Sequence, residues 1–196
     1  MNKHDYTVWQ KANEKNAANL IITGAKGFTP EEGFEPAQNF INWMLKSHKS
    51  ILDFGCGVGR NTFSLAKKYK YVDVFDFPNM INMLVQNSKF KICKNIGVYT
   101  DWNIVKNRKY DAIFCCLVLQ HFHPEDLIVL LEEFTNMTSF LYVGTRSYTD
   151  FIHENMYTLL SKKWKLKKGH DIDEENIKNA VNEDHYSGVW VPNETV

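Results

Sequence analysis

The segment Ile51-Leu52-Asp53-Phe54-Gly55-Cys56-Gly57-Val58-Gly59-Arg60-Asn61 constrains the fold more than any other stretch of the chain. An apolar run of strand length leads into three alternate glycines, and a helical pattern comes next. Missing side chains let a ligand lie against the backbone of such a turn. In an open α/β sheet, ligands bind outside the carboxyl ends of the strands, near a topological switch point. A dinucleotide-binding turn starting at Gly55 needs glycine or alanine at position 60, which holds Arg60. A phosphate-binding P-loop needs Gly-Lys-Ser/Thr, which is absent after these glycines. The spacing present is acid-x-G-x-G-x-G: Asp53, Gly55, Gly57, Gly59.

The rest of the chain repeats the strand-then-helix pattern. Strands are expected over 50–54, 71–75, 96–100, 112–119 and 139–144. Helices are expected over about 61–68, from Pro78, and from Pro124, each proline suiting a first helical turn. Ahead of them, Ala37, Phe40, Ile41 and Met44 make one apolar face of a helix opened by Pro36. Tyr6–Leu20 predicts an earlier helix. After residue 150, the pattern predicts a helix over 151–163, strands over 164–167 and 186–191, and a polar helix near 174–181. Strands separated by helix-length segments mean βαβ units and a parallel sheet covered on both faces.

A length of 196 residues fits one domain. Within it, 1–48 reads as an N-terminal helical lid or substrate segment, 49–148 as the ligand-binding core, and 149–196 as a C-terminal helix with late strands. With 23 Lys+Arg against 23 Asp+Glu, no global field draws the chain to nucleic acid or an anionic membrane. The N-terminus has no apolar stretch that could serve as a signal sequence. The longest apolar run, Ala112–Leu119, suits a buried strand and is far short of the ~20 residues that span a bilayer. Cys56, Cys93, Cys115 and Cys116 show neither C-x-x-C nor zinc-ligand spacing, so reduced thiols, no metal and a cytoplasmic location are expected. The oligomeric state is not legible.

Asp53, Gly55, Gly57 and Gly59 resemble the first motif of the class I S-adenosylmethionine (SAM)-dependent methyltransferases. The resemblance spans roughly Ser50 to Tyr148. It implies a Rossmann-like fold with a mostly parallel central sheet, helices on both faces and an antiparallel C-terminal strand. It also implies SAM as cofactor and S-adenosylhomocysteine as product, with Asp53, Gly55, Cys56, Gly57 and Gly59 at the cofactor. Asp76, after the second strand, would accept from both ribose hydroxyls; otherwise it caps the helix opened by Pro78. Phe77 and Met80 would lie against adenine. Asp101 would accept from the adenine amino group, and Trp102 would supply a ring contact. The segment Tyr110–Phe122 resembles the family's fourth strand and the stretch after it, placing Asp111, Cys116 and His121 at its characteristic positions. Backbone around Cys116 and Leu117 would line the methionine end, their side chains being core-packing groups. Asn136-Met137-Thr138 replaces the Lys-Pro-Gly-Gly-like turn common in the family.

SAM carries an activated methyl group, so a base is needed only where the acceptor must lose a proton. His121 and His123 are the base candidates, since an unperturbed imidazole titrates near neutrality. Tyr6, Trp9, Phe28 and Phe34 are candidate lid aromatics. Arg146 and Tyr148 could face the acceptor, Arg146 suiting a carboxylate or phosphate. The expectation is methyl transfer to an O, N or S atom of a small molecule. The alternatives are a methyltransferase of RNA, DNA or protein, and a SAM-binding scaffold without turnover. Neutral charge argues against nucleic acid. The lysines from 162 to 168 lie just ahead of four acids and read as solvated surface.

Overall fold

The structure, a computed structural model, describes residues 10–11, 35–146, 155–170 and 185–193. The chain divides into two compact units, Met1–Val105 and Lys106–Val196. Within the units, three strand pairings are parallel and two antiparallel, so the strands are mostly parallel, as expected.

In the first unit, α1 (Glu35–Trp43) precedes β1 (Ser50–Phe54), α2 (Thr62–Lys68) and β2 (Tyr71–Phe75). Then come α3 (Pro78–Gln86), α4 (Ser88–Ile92), β3 (Ile96–Tyr99) and α5 (Trp102–Val105). The strand order is β3-β2-β1, all parallel, with Asp53 opposite Val74 and Phe54 opposite Phe75. Ile51, Leu52, Asp53 and Phe54 are all buried, so β1 is covered on both faces, the signature of an inner parallel strand. β2 alternates, with Val72 and Val74 buried between more exposed neighbours. Pro78 opens α3, because its fixed φ suits the first turn and its missing N–H has no partner there anyway. The short α4 is not foreseen in the sequence; Asn87 starts it by accepting from the Lys89 N–H at 2.9 Å.

In the second unit, β4 (Ala112–Cys116) leads through a 3₁₀ turn, Leu119–His121, into α6 (Pro124–Met137) and β5 (Leu141–Arg146). α7 (Met156–Ser161), β6 (Trp164–His170) and β7 (His185–Pro192) complete the unit. β4 and β5 are parallel, and β7 lies antiparallel between β5 and β6. The expected antiparallel C-terminal strand is therefore present, and it is inserted ahead of its predecessor. Glu125 and Asp126 sit in the first turn of α6, where carboxylates complement the helix dipole. The core collects Phe114, Leu131, Phe134, Tyr142, Trp164 and Trp190, all fully buried. Trp164 keeps its Nε1–H satisfied by donating to the Leu131 carbonyl at 3.1 Å.

The apolar run read as a strand over 112–119 ends at Cys116. Leu117 has φ +59, which no strand tolerates, and its N–H donates to the Gly144 carbonyl at 2.6 Å. β5 begins two residues later than expected, at Leu141, and the late strands run longer than predicted. The expected helix over 6–20 falls almost wholly outside the described residues, and that near 174–181 entirely so. Among the described residues, no helix is long and apolar enough to cross a membrane.

Candidate cofactor site

The end of β1 and the end of β2 are tied together through the glycine turn. Gly55, Gly57 and Gly59 all have positive φ, at 73°, 56° and 92°. Gly59 is irreplaceable on two counts. Its φ suits glycine alone, and a Cβ built there would collide with Leu84 Cδ1 of α3 and press on Phe63 of α2. The third glycine thus lets two helices close on the turn.

Asp76 stands just past β2 and turns its carboxylate back toward that loop. Its Oδ2 accepts the Gly57 N–H at 2.6 Å, and its Oδ1 accepts the Phe77 N–H at 2.7 Å. An ionised carboxylate has about four lone-pair sites, so each oxygen retains capacity for a second donor such as a ribose hydroxyl. Burial pushes the Asp76 carboxyl up to about 6, and the two N–H bonds oppose that rise. Phe77, not Asp76, is the N-cap of α3, and that helix start has no side-chain cap, so the capping alternative does not describe Asp76 here.

Asp53 is 2% exposed and does not present its carboxylate outward; Oδ2 accepts from the Thr62 hydroxyl at 2.6 Å. It therefore fixes the first residue of α2 against β1, on the inner side of the turn. Burial lifts its pKa to about 7, with a smaller upward push from the Asp76 charge; the Thr62 bond opposes both. Cys56 is buried inside the turn, with Sγ facing the Gly57 carbonyl at 3.5 Å. Burial and then the Asp76 and Asp53 charges push its thiol well above the ordinary range, so it is not a ready nucleophile.

Phe77 is partly exposed and packs with Val58 and Met83 on Met80. Met80, only 1% exposed, lies beneath that surface and supports Phe77 from within. Asp101 is exposed and heads α5, accepting the Asn103 N–H at 2.9 Å through Oδ1. Trp102 meets Phe54 edge-on at a centroid distance of 5.3 Å and Phe75 at 5.2 Å. Phe54 and Phe75 stack on one another at 5.5 Å. Three aromatic rings thus cluster at the strand ends of this unit.

In the second unit, Cys116 and Leu117 are partly exposed at the end of β4, where the chain takes its left-handed turn. His121 closes the 3₁₀ turn and His123 stands before Pro124, both partly exposed. The turn is pinned by a bond that the sequence does not reveal. Gln120 Oε1 accepts from the Thr145 hydroxyl at 3.1 Å, with both residues buried. Arg146 closes β5 opposite His185; only its backbone is described. Tyr6, Trp9, Phe28, Phe34 and Tyr148 lie outside the described residues.

Sequence reasoning does not single out Thr62, Phe54, Phe75, Gln120 or Thr145. Phe54 and Phe75 each occupy the last position of a strand feeding a candidate ligand turn, and that position is a usable signal. The pairs Thr62–Asp53 and Gln120–Thr145 carry no local signal. Among the described residues, no group of three or more His, Cys, Asp or Glu side chains could hold a metal ion.

Residues 51–139 match the family model described as a methyltransferase domain. No curated protein matches the sequence. Solved structures do. Magnesium protoporphyrin IX methyltransferase from Synechocystis PCC 6803 with bound SAM aligns at TM-score 0.71 and 13% identity, covering 98% of this chain and 99% of that one. N-methyltransferase NodS from Bradyrhizobium japonicum WM9, in complex with S-adenosyl-L-homocysteine, aligns at 0.68 and 17%, covering 98% and 100%. A TehB-like SAM-dependent methyltransferase from Corynebacterium glutamicum ATCC 13032 aligns at 0.66 and 14%, covering 95% and 100%. At these identities the likeness is one of fold.

Proposed function

We propose that this chain, whose residues 51–139 match a methyltransferase-domain model, is a class I SAM-dependent methyltransferase that transfers the SAM methyl group to an O, N or S atom of a small molecule. The observation that carries this is the Asp76 carboxylate, held by the Gly57 and Phe77 N–H groups at the mouth of the glycine turn. Its remaining lone pairs fit a pair of ribose hydroxyls. Gly55 and Gly57 keep side chains out of the way of a cofactor lying on the turn. Phe77 and Trp102 offer rings to the adenine, and Asp101 has a second carboxylate oxygen for its amino group. Asp53, Cys56, Gly59 and Met80 act behind this surface by holding the turn and Phe77 in place. The backbone of Cys116 and Leu117 is assigned to the methionine end.

When bound, SAM supplies a methyl group already activated by its sulfonium. The protein's part is to hold the acceptor in line and exclude water, for which positioning supplies about 7–11 kcal/mol of barrier reduction. His121 is assigned as the base for an acceptor that must lose a proton, with His123 as the second candidate. Tyr6, Trp9, Phe28, Phe34, Arg146 and Tyr148 are assigned to the acceptor. The similar Synechocystis enzyme is named for magnesium protoporphyrin IX, which supports a small acceptor here. A cytoplasmic setting stays part of this proposal, resting on the sequence reading of the cysteines as reduced thiols.

Calorimetric titration with SAM and S-adenosylhomocysteine, with NAD and ATP as controls, tests the cofactor. Selective binding of the two SAM-type ligands is expected. Selective binding of NAD or ATP overturns the assignment of the turn. Labelled methyl transfer from SAM into extract then separates turnover from binding alone.

A further inference from the structure

A second concave surface lies in the first unit, between α1 and α2. This open groove has a volume of about 660 Å³ and is lined by Gln38, Ile41, Asn42, Lys46, Ser64, Lys67 and Lys68. No carboxylate is among these residues.

The hydrogen bonds of this cleft run in one direction. Ser64 Oγ donates to Gln38 Oε1 at 2.5 Å, and Gln38 Nε2 donates to Asn42 Oδ1 at 3.1 Å. The chain of bonds uses both amide carbonyls as acceptors and leaves the Asn42 amide nitrogen, a pure donor, at its end. Lys68 forms the floor. Its ammonium donates to the carbonyls of Ile41, Asn42 and Met44 at 2.5, 3.0 and 2.6 Å, which closes the C-terminal end of α1. All three of its protons are spent there. Lys46 and Lys67 stand at the rim, adding two further ammonium groups. Burial, and then the nearby Lys46 charge, lower the Lys68 pKa, as expected where cations gather without an acid between them.

A lining of N–H donors and ammonium groups, with its amide acceptors already used, selects an anion. Lysine serves phosphate as a point charge, and two ammonium groups beside one amide donor match the higher charge of a phosphate better than that of a single carboxylate. We propose that this α1–α2 cleft binds a phosphate group, as inorganic phosphate or as the monoester of a small molecule. Lys46, Lys67 and the Asn42 amide are the ligands, and Lys68 and the Ser64–Gln38 bond hold them in place. This site is independent of the methyl-transfer proposal, because none of its residues is assigned to cofactor or acceptor.

The test titrates the full chain with inorganic phosphate and, separately, with phenyl phosphate at constant ionic strength, followed by NMR. Saturable shifts at Asn42, Lys46, Ser64 and Lys67 are expected with at least one probe, and none with chloride. A tighter response to phenyl phosphate identifies a monoester as the ligand; an equal or tighter response to phosphate identifies the free ion. The double variant Lys46→Gln/Lys67→Gln should raise the dissociation constant at least tenfold while its melting temperature stays unchanged. Non-saturating shifts, or saturation that survives in the double variant, overturn the proposal. So does binding of a single-stranded RNA oligomer at these residues without a saturable response to either probe.

Discussion

Asp76 Oδ2 and the Gly57 N–H meet at 2.6 Å, although the residues are 19 positions apart in sequence. This bond joins the carboxyl end of β2 to the turn that leaves β1, and it aims one carboxylate into the space above the glycines. Removing the carboxylate should therefore affect both the turn and anything bound on it. Asp76→Ala is expected to weaken SAM and S-adenosylhomocysteine about ten- to a hundredfold, the usual worth of charge-assisted hydrogen bonds. Calorimetry on the variant checks this, and undiminished affinity would remove Asp76 from the cofactor site.

The raised carboxyl pKa values give binding and stability opposite pH dependences. Burial raises the Asp76 carboxyl to about 6, so if it makes the proposed ribose contact, SAM affinity should fall as pH drops through 6 and the carboxylate takes up a proton. Asp53 has a folded pKa of about 7 against an ordinary 3.8, so the folded state binds its proton more tightly than the unfolded state does. Stability contributed by that proton is full below about 4 and is lost as pH rises toward 7, at up to about 1.4 kcal/mol for each pH step of one. Asp76 adds to the same trend up to about 6. Melting temperature recorded from pH 4.5 to 8 should decline across this window, and Asp53→Asn should flatten the decline. An equal slope in that variant would mean other groups control it.

Thr62→Val keeps the shape of the side chain and removes the hydroxyl bonded to Asp53 in the buried pair. The cost should be about 1.5–3 kcal/mol at pH 8, where the carboxylate is ionised. At pH 5.5, with Asp53 protonated, the cost should be smaller. Chemical denaturation at the two pH values measures the difference, and a pH-independent loss would point to packing alone.

Gly59→Ala should destabilise the fold by roughly 2–4 kcal/mol, combining a forbidden backbone angle with a collision against Leu84. Adding Leu84→Val makes room for the new methyl and should recover the collision part only, since φ at position 59 remains +92°. Full recovery in the double variant would show that the backbone angle carries no cost.

His121→Ala should lower methyl transfer from labelled SAM by about 10²–10⁴-fold if the acceptor needs a base. SAM affinity should change far less. Unchanged transfer would exclude His121 from the chemistry and leave His123 to be tested in the same way.

The succession of strands and helices is legible in the sequence because each element writes its own period. Buried runs such as Ile51–Phe54 read as inner strands, and Pro78 and Pro124 mark helix starts. The glycine turn is legible because only glycine serves its backbone angles. Local pattern fails at Leu117. An apolar run looks the same in a strand and in a buried turn, so periodicity alone extends the strand to Leu119. The bonds from Leu117 to Gly144 and from Thr145 to Gln120 end it at Cys116 instead. The direction of side chains is equally beyond the sequence. Asp53 turns inward to Thr62, and Met80 disappears beneath Phe77, because those orientations depend on partners brought together by folding. The order of the elements and the backbone freedom of the turn were determined by the sequence alone, since both depend on near neighbours along the chain. Which acid turns to the glycine loop and which braces α2 was decided only when β1, β2 and the helices packed, because burial and hydrogen-bond geometry belong to the tertiary structure.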